Sequence, residues 1–343
     1  MSNTVILRWG RFSRRLNPAT LGRLALAAGI TLLVVMLSLA LGKVVFSPSE
    51  LVHILLQGQD PGTHFIVQQL RLPRVLLALL VGAALGVSGL ILQSIIRNPL
   101  ASPDLLGITS GAGLAAVIYL SFFSLLLGPG LLPLAAMAGA GLAALAVYLL
   151  AWRRGTSPLR LVLVGVGMSA LLSALTTLLL VFSPLTTTLS AYVWLAGSVY
   201  GATWAETRAL GCWLLAMVPP LIWLARLVVV QQLDDGLARG IGVRVQWARA
   251  GLLLLSVGLA GAAVAWGGAI AFVGLVAPHI GRRLVAPGFG GQAVMTALVG
   301  GVLVMVADLI GRTLFLPADL PAGIFVAALG TPFFLYLLIT QRH

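Results

Sequence analysis

The chain has 343 residues, of which 60% are apolar and only 8% are charged, and its mean hydropathy is +1.08. Soluble domains carry about 25% charged residues, so this composition excludes a water-soluble enzyme. The net charge of +13 would suit a nucleic-acid partner, but in so apolar a chain the arginines are better explained as signals of cytoplasmic loops, and we expect no nucleic-acid binding. The sequence therefore predicts an all-α polytopic membrane protein surrounded by the lipid membrane.

Apolar runs separated by polar or Pro- and Gly-containing turns divide the chain into about ten predicted transmembrane helices. In chain order these spans cover about 24–46, 75–96, 104–127, 131–152, 160–182, 208–230, 250–266, 268–284, 292–314 and 322–340. The stretch 250–284 is long for one span and short for two, and we divide it at Gly267 and Gly268. Little sequence remains for a soluble domain, so 1–343 is predicted to form a single transmembrane domain.

The basic residues determine the predicted orientation of these spans. With the N- and C-termini in the cytoplasm, five of the 21 Lys and Arg residues fall outside and the others fall on the cytoplasmic side. The external five are Lys43, Arg71, Arg74, Arg208 and Arg312. Because positive residues concentrate in cytoplasmic loops, the reverse orientation is excluded.

The sequence lacks the residues needed for ATP hydrolysis or for metal chemistry. A phosphate-binding loop requires a lysine followed by Ser or Thr, but the only lysine, Lys43, is followed by Val44. The single cysteine, Cys212, and four scattered histidines match no zinc signature. We expect no catalytic residue, no metal site and no cofactor, and therefore no enzyme activity in this chain.

Two ionisable residues lie deep enough in the spans to support an alternative function. Asp308 lies four residues before Arg312, a spacing that predicts an ion pair on one helix face. His279 follows Pro278 near a helix end, where an interfacial cap is expected. An ATP-independent secondary transporter would depend on Asp308 or His279, whereas a structural membrane scaffold would need neither.

Four motifs occur in a fixed order along the chain. They are Arg71-Leu-Pro-Arg74 followed by a Gly-rich helix and Arg97-Asn-Pro-Leu-Ala-Ser-Pro-Asp104; Leu237-Ala-Arg-Gly-Ile-Gly-Val243; Gly268 to Arg282; and Ala307-Asp-Leu-Ile-Gly-Arg312 with Asp319-Leu-Pro beyond it. This pattern resembles the FecCD-type permeases, the membrane subunits of ABC importers for ferric siderophores, haem and cobalamin. The resemblance covers about 45–340 and is greatest to the ferric-enterobactin-type subunits.

The resemblance implies a permease that translocates a ferric siderophore across the bacterial cytoplasmic (inner) membrane, driven by a separate ATPase. Import of cobalamin or haem is the alternative within the same family. The implied partners are a second permease subunit, in a homo- or heterodimer, two ATP-binding subunits, and a periplasmic or lipoprotein substrate-binding protein.

The resemblance also implies three groups of site residues. The hydrophilic segment 231–249 is expected to contact the ATPase, and the turn 97–103 is expected to gate the cytoplasmic end of the path, with a plain interhelical turn as the alternative. Three external arginines, suited to binding carboxylates bidentately, are expected to dock the binding protein, with snorkelling as the alternative. The residues are Asp234, Asp235, Arg239, Gly240 and Gly242 for coupling; Asn98, Leu100, Thr156 and Ser157 for the gate; and Arg71, Arg74 and Arg312 for docking.

Overall fold

The computed structural model describes residues 5–9, 12–57, 61–315 and 317–340. A short antiparallel hairpin comes first, and helices form the rest of the described secondary structure. The strands are β1 (Val5–Trp9) and β2 (Phe12–Leu16). The helices are α1 (Pro18–Ala40), α2 (Pro48–Gln57), α3 (Pro61–Ile96), α4 (Ile108–Leu127), α5 (Pro129–Leu150), α6 (Pro158–Phe182), α7 (Leu185–Leu195), α8 (Trp204–Val230), α9 (Asp235–Gly240), α10 (Val245–Gly267), α11 (Val273–Leu284), α12 (Phe289–Thr313) and α13 (Ala322–Thr340).

Within the described ranges, nine helices are long and apolar enough to cross a membrane, namely α1, α3, α4, α5, α6, α8, α10, α12 and α13. The prediction of an all-helical polytopic membrane protein is therefore confirmed, with the β1–β2 hairpin as an addition that precedes the first span. The helices differ most from the predicted spans near the external end of α3. This helix begins at Pro61, well before the predicted start at 75. The polar residues 61–70, which the sequence assigned to an external loop, are part of the same helix.

The predicted eighth span, 268–284, has a different structure. Only α11, with 12 residues, is helical there, and residues 268–272 are not. Gly268 has φ +70°, and a Cβ atom at this position would lie 2.4 Å from the carbonyl oxygen of Trp194. The chain thus leaves the helical conformation where its backbone contacts the end of α7. This short helix lies in the connection 183–207, for which the sequence predicted no helix.

α3 lies at the centre of the bundle, and 78% of its most apolar window is buried. Small residues allow its backbone to touch two neighbouring helices directly. A Cβ atom at Gly82 would lie 2.1 Å from the carbonyl oxygen of Gly300 on α12, and one at Gly89 would lie 1.8 Å from that of Gly274 on α11. Close backbone approach replaces the hydrophobic driving force that helices lack in lipid.

The outer helices α1, α6 and α8 expose most of their apolar side chains. α8 begins with a capping box, in which Thr203 and Glu206 bond each other's backbone N–H groups, and it contains Pro219 and Pro220 in its interior. Because proline has no N–H, these two residues remove two backbone hydrogen bonds from the middle of α8.

Candidate functional site

The hydrophilic segment 231–249 forms a short helix on the cytoplasmic side. α9 begins after Asp234, whose Oδ2 accepts a hydrogen bond from the N–H of Gly236 at 2.9 Å. After α9, Gly242 adopts φ +83°, which favours glycine, and the chain turns into α10. Asp234, Arg239 and Gly240 are exposed on this segment.

The side chain of Asp235 connects α9 to two other parts of the chain. It accepts hydrogen bonds from Arg249 Nη2 at 2.8 and 3.1 Å and from Arg97 Nη2. Arg97 also donates through Nε to the carbonyl of Gln231 at 2.9 Å, and its Nη1 lies 3.9 Å from Asp234. Arg249 is 0% exposed, so α9 is anchored to the interior of the protein.

Electrostatics keep Asp235 ionised at neutral pH. Burial by itself raises the pKa of this carboxyl, but the hydrogen bond from Arg97 and the charge of Arg249 outweigh burial and hold the pKa below its usual value. The ion pairs with Arg97 and Arg249 are therefore fully formed at physiological pH.

Arg249 also reaches the turn before α6, where it donates to the carbonyl of Thr156. Gln246 completes the enclosure of Thr156, because its Oε1 accepts from both the N–H and the hydroxyl of Thr156 at 3.0 Å. Arg97, Asp235, Arg249 and Thr156 thus form one connected set, named below the cytoplasmic polar network.

The second predicted gate pair lies in the turn before α6. The side chain of Thr156 is buried and bonded to Gln246, and a gating role for Thr156 and Ser157 stays a prediction. Ser157 caps α6 by accepting a hydrogen bond from the N–H of Arg160 at 3.4 Å. Ser157 is bonded in this way because the N-terminus of α6 needs a cap. Thr156 is bonded because the hydrophilic start of α10 supplies Gln246 as its partner.

The first predicted gate pair lies in an ordered turn at the end of α3. Arg97 ends the helix in a left-handed conformation with φ +56°, and Asn98 Oδ1 then accepts a hydrogen bond from the N–H of Leu100 at 2.8 Å. Asn98 is exposed, whereas Leu100 packs against an apolar cluster that includes Leu275 and Leu337. The turn therefore has one exposed polar side chain and one anchored apolar one, and a gating role for it stays a prediction.

Large apolar side chains are also exposed along the segment 231–249. Its exposed large side chains are Leu233, Leu237, Ile241 and Trp247, with Leu237 and Ile241 65% and 63% exposed. Exposed apolar groups on a water-facing segment mark a protein-interaction surface. We name these four residues the cytoplasmic apolar patch.

Arg71 lies at the external end of the bundle and points inward. Its guanidinium donates to carbonyl groups at the end of α1 and in the following turn, those of Leu39 (2.5 Å), Ala40 (3.1 Å) and Val44 (2.5 Å). It also lies 5.0 Å from the ring centre of Phe46. Arg71 thus satisfies the carbonyls that α1 leaves unpaired at its C-terminus.

Arg74 forms the centre of a charge cluster at the same end. It donates to Asp308 at 2.8 to 3.1 Å and to both carboxyl oxygens of Asp319 at 2.7 Å. Arg312 lies 3.5 Å from Asp308, which confirms the predicted i,i+4 pair, and it also donates to the carbonyls of Leu41, at 3.1 Å, and Ser38.

This placement differs from the exposed docking surface that the sequence predicts. Arg71, Arg74 and Arg312 are 8%, 9% and 9% exposed, and their guanidiniums are already bonded. The carbonyls at the end of α1 bind Arg71 and Arg312, and Asp308 and Asp319, which are more than 200 residues from Arg74 in sequence, bind Arg74. Local spacing indicates only the pair of Asp308 with Arg312. In this conformation the three arginines hold α1, α3 and α12 together.

The two ionisable residues of the alternative transporter hypothesis are also accounted for. Asp308 is 3% exposed and ion-paired with Arg74 and Arg312, so it is not a free proton carrier. The ring of His279 packs edge-on against Phe333, with 5.5 Å between ring centres. In the part of the chain that the structure describes, no three His, Cys, Asp or Glu residues are grouped to hold a metal ion.

Sequence reasoning missed Arg97, Gln246 and Arg249 as members of the cytoplasmic site. It placed Arg97 in the predicted gate turn and Gln246 and Arg249 in the hydrophilic segment 231–249, but it gave none of them a role of its own. A usable signal was present, since the whole chain has 8 acidic residues against 21 basic ones. A cytoplasmic carboxylate in such a chain is expected to attract more than one arginine.

Comparison with known proteins adds independent findings. The sequence matches the model of the FecCD transport family over residues 30–340. It is 69% identical over 343 residues to the achromobactin transport system permease protein CbrC of Dickeya dadantii (strain 3937), covering 100% of this chain and 98% of that protein. It is 39% identical over 302 residues to the ferric enterobactin transport system permease protein FepG of Escherichia coli (strain K12), covering 88% and 91% respectively.

A solved structure described as an inward-facing conformation of a metal-chelate type ABC transporter aligns with a TM-score of 0.81 at 30% identity. The alignment covers 94% of this chain and 99% of that one. Of the two relatives named above, the achromobactin permease shares more identity than the enterobactin permease. The resemblance carried by the four motifs is confirmed, and the chain belongs to the FecCD transport family.

Proposed function

We propose that this chain is the permease subunit of an ABC importer that carries a ferric siderophore across the bacterial cytoplasmic membrane. Its partners would be a second permease subunit, two ATP-binding subunits and a periplasmic or lipoprotein binding protein. Identity to an achromobactin permease over the whole chain supports a siderophore as cargo and achromobactin as the first candidate. Haem and cobalamin are the competing cargoes.

One observation carries the proposed coupling mechanism. α9 presents Leu237 and Ile241 to the cytoplasm on one side and on the other side bonds through Asp235 to Arg97 and Arg249. A partner bound to the cytoplasmic apolar patch would therefore be linked, through charged hydrogen bonds, to the turns that precede α4 and α6.

The network favours movement of these parts as a unit. Separating Asp235 from Arg249 would leave a fully buried guanidinium without its counter-ion, which costs several kcal/mol. A displacement of α9 is therefore expected to carry Arg97, and with it the turn that holds Asn98 and Leu100. This is how we propose that ATP-driven motion reaches the gate.

A groove between α4 and α6 supports the position of the translocation path. It has a volume of about 290 Å³, and most of the side chains that line it carry hydroxyl groups, among them Thr109, Ser110, Ser173 and Thr177. Thr177 bonds to the carbonyl of Ser173 in its own helix, and Ser173 bonds across the groove to Ser110 at 3.4 Å. A lining without charged side chains suits a cargo that must be released rather than retained.

For the external side, we propose that Arg71, Arg74 and Arg312 contribute to docking indirectly, by fixing the end of α1 and the loop that carries Asp319. The side chain of Asp319 is partly exposed beside Arg74. A binding protein would meet this surface, rather than the guanidiniums themselves.

The function is tested by reconstituting the permease with its ATP-binding subunits and binding protein in proteoliposomes. Uptake of ferric achromobactin is compared with that of ferric enterobactin, haem and cobalamin, with and without ATP. We expect ATP-dependent uptake of a ferric siderophore. Uptake that proceeds equally without ATP, or a preference for haem or cobalamin, would overturn the proposal.

A further inference from the structure

A groove lies on the outer side of the bundle, bounded by α3, α8, α10 and α12. Its volume is about 790 Å³, within the range of small-molecule sites. Small residues of α3 and α12, such as Ala83 and Ala297, face larger side chains of α8, such as Met217 and Leu221. The proline pair of α8 lies at the same level of the helix.

The groove is apolar except at one end, where Arg226 lines it. Arg226 is exposed, and within the described ranges it makes no ion pair and no hydrogen bond. Arg97, Arg249 and Arg282, near the cytoplasmic ends of other helices, bond to protein groups, whereas Arg239 and Arg244 are exposed like Arg226 but do not line the groove. Arg226 thus offers an unbonded guanidinium at the end of an apolar groove, and it is the one charged residue among those that line this groove.

The depth of the groove corresponds to one leaflet of a membrane. From Leu214 to Arg226 the groove follows thirteen residues of α8, a rise of about 18 Å along the helix. Half of a hydrocarbon core of about 30 Å is about 15 Å. Trp223, one turn before Arg226, is 80% exposed, as is typical of side chains at the membrane–water interface. Arg226 therefore lies at headgroup level, and the apolar part reaches to about the middle of the membrane.

We propose that this groove binds one acyl chain of an anionic phospholipid from the cytoplasmic leaflet, with Arg226 bonded to the lipid phosphate. Basic pockets between membrane helices on the cytoplasmic side are suited to such headgroups. A planar guanidinium holds phosphate oxygens bidentately, which distinguishes this site from general lipid contact. The inference uses the membrane orientation of the chain and is independent of the cargo.

The site lies where a lipid would influence the mechanism. α8 continues from Arg226 through Val230 into the segment 231–249. The opposite walls are formed by α3, which ends just before Arg97, and by α10, which carries Arg249 in its second turn. A lipid wedged between α8 and these helices would stabilise one spacing between them. We therefore expect anionic lipid to raise ATP-coupled uptake.

The test measures lipid retained by the whole transporter. The assembled complex is purified in detergent with equal amounts of phosphatidylglycerol and phosphatidylethanolamine, and native mass spectrometry counts the retained molecules. We expect wild type to retain phosphatidylglycerol in preference, and Arg226→Gln to lower that preference about fivefold. Arg208→Gln, at the opposite end of α8, is the matched control and should leave the preference unchanged.

A second pair of variants tests the apolar part without changing charge. Ala297→Phe fills the groove and is expected to reduce phosphatidylglycerol retention, whereas Leu215→Phe, on α8 but outside the groove, is not. Equal retention of both lipids by wild type would overturn the proposal, and so would an unchanged preference in Arg226→Gln. Displacement of the lipid by added inorganic phosphate would assign the site to phosphate. A disulfide between copies carrying Ile222→Cys, with no lipid retained, would assign the groove to a second subunit.

Discussion

Asp235 and Arg249 form a bifurcated ion pair, with Arg249 Nη2 2.8 Å from one carboxyl oxygen and 3.1 Å from the other. The aspartate belongs to a helix on the protein surface, and the arginine is fully buried in the membrane domain. Through Arg249, Asp235 is connected to the turn before α6, and through Arg97 it is connected to the turn after α3. The first predictions follow from it.

Asp235→Asn is expected to uncouple transport. The amide retains the shape of the side chain but removes the charge that balances Arg97 and Arg249, at a cost of about 2 kcal/mol locally. ATP hydrolysis by the assembled complex should continue while uptake falls at least tenfold. Asp234→Asn, whose carboxyl is exposed and 3.9 Å from Arg97, should cause a smaller loss. Equal effects of the two variants would contradict a special role for Asp235.

The same pair predicts a pH dependence. Because the pKa of Asp235 is lower in the folded protein than its usual value of about 3.9, the stabilisation is complete above that value and is lost as the pH falls through the folded-state pKa. The difference in thermal stability between wild type and Asp235→Asn should therefore be constant between about pH 6 and 8 and shrink below about pH 4. A difference that changes near neutral pH would argue against this carboxylate as its source.

Gly242→Val is expected to impair coupling by distorting the turn between α9 and α10. A branched residue at φ +83° costs about 1–2 kcal/mol, although no neighbouring atom obstructs it. Gly201→Val is the matched control, because Gly201 has φ +71° and equally open surroundings but lies on the external side. Both variants should lose similar thermal stability, and only Gly242→Val should lose uptake. Similar uptake in the two would remove Gly242 from the coupling site.

Asn98→Ala combined with Leu100→Ala is expected to loosen the cytoplasmic turn. It removes the 2.8 Å side-chain to backbone hydrogen bond and the apolar contact of Leu100, together about 2 kcal/mol. Leak of cargo from loaded proteoliposomes, or ATP turnover without uptake, should rise several-fold. Leu159→Ala, an exposed change at the same membrane face, should have no effect. An unchanged leak and unchanged turnover would favour a plain structural turn.

Arg74→Ala is expected to lower the free energy of unfolding, and any loss of binding-protein affinity should follow from that destabilisation. The change leaves Asp308 and Asp319 without their shared cation, and Asp308 is buried, so the loss should be about 3–5 kcal/mol. Thermal unfolding in detergent measures it, with Arg208→Ala as the external control. A variant of normal stability that no longer binds its binding protein would instead support direct docking by Arg74.

The sequence predicted the membrane helices, the family and the exposed hydrophilic segment 231–249, because these depend on apolar runs and local motifs. It did not predict the non-helical residues 268–272, since Gly and Ala are as apolar there as in a helix and the break depends on contact with Trp194. Nor did it predict that Arg74 pairs with Asp308, 234 residues away. Such pairings arise only when α3 and α12 are packed together.

The topology of α12 and α13 depends on whether α11 and the non-helical residues before it are counted as one membrane crossing. Nine full-length helices, as found in the described residues, are an odd number and would leave the two ends of the chain on opposite faces. α11 supplies about 18 Å of helix, and residues 268–272 supply up to about 16 Å, enough together for a tenth crossing of a core of about 30 Å. A hydropathy count that overlooks this composite crossing would assign the reverse membrane orientation to α12 and α13. The position of an epitope tag or reporter fusion placed after α11 would then be assigned to the wrong side of the membrane.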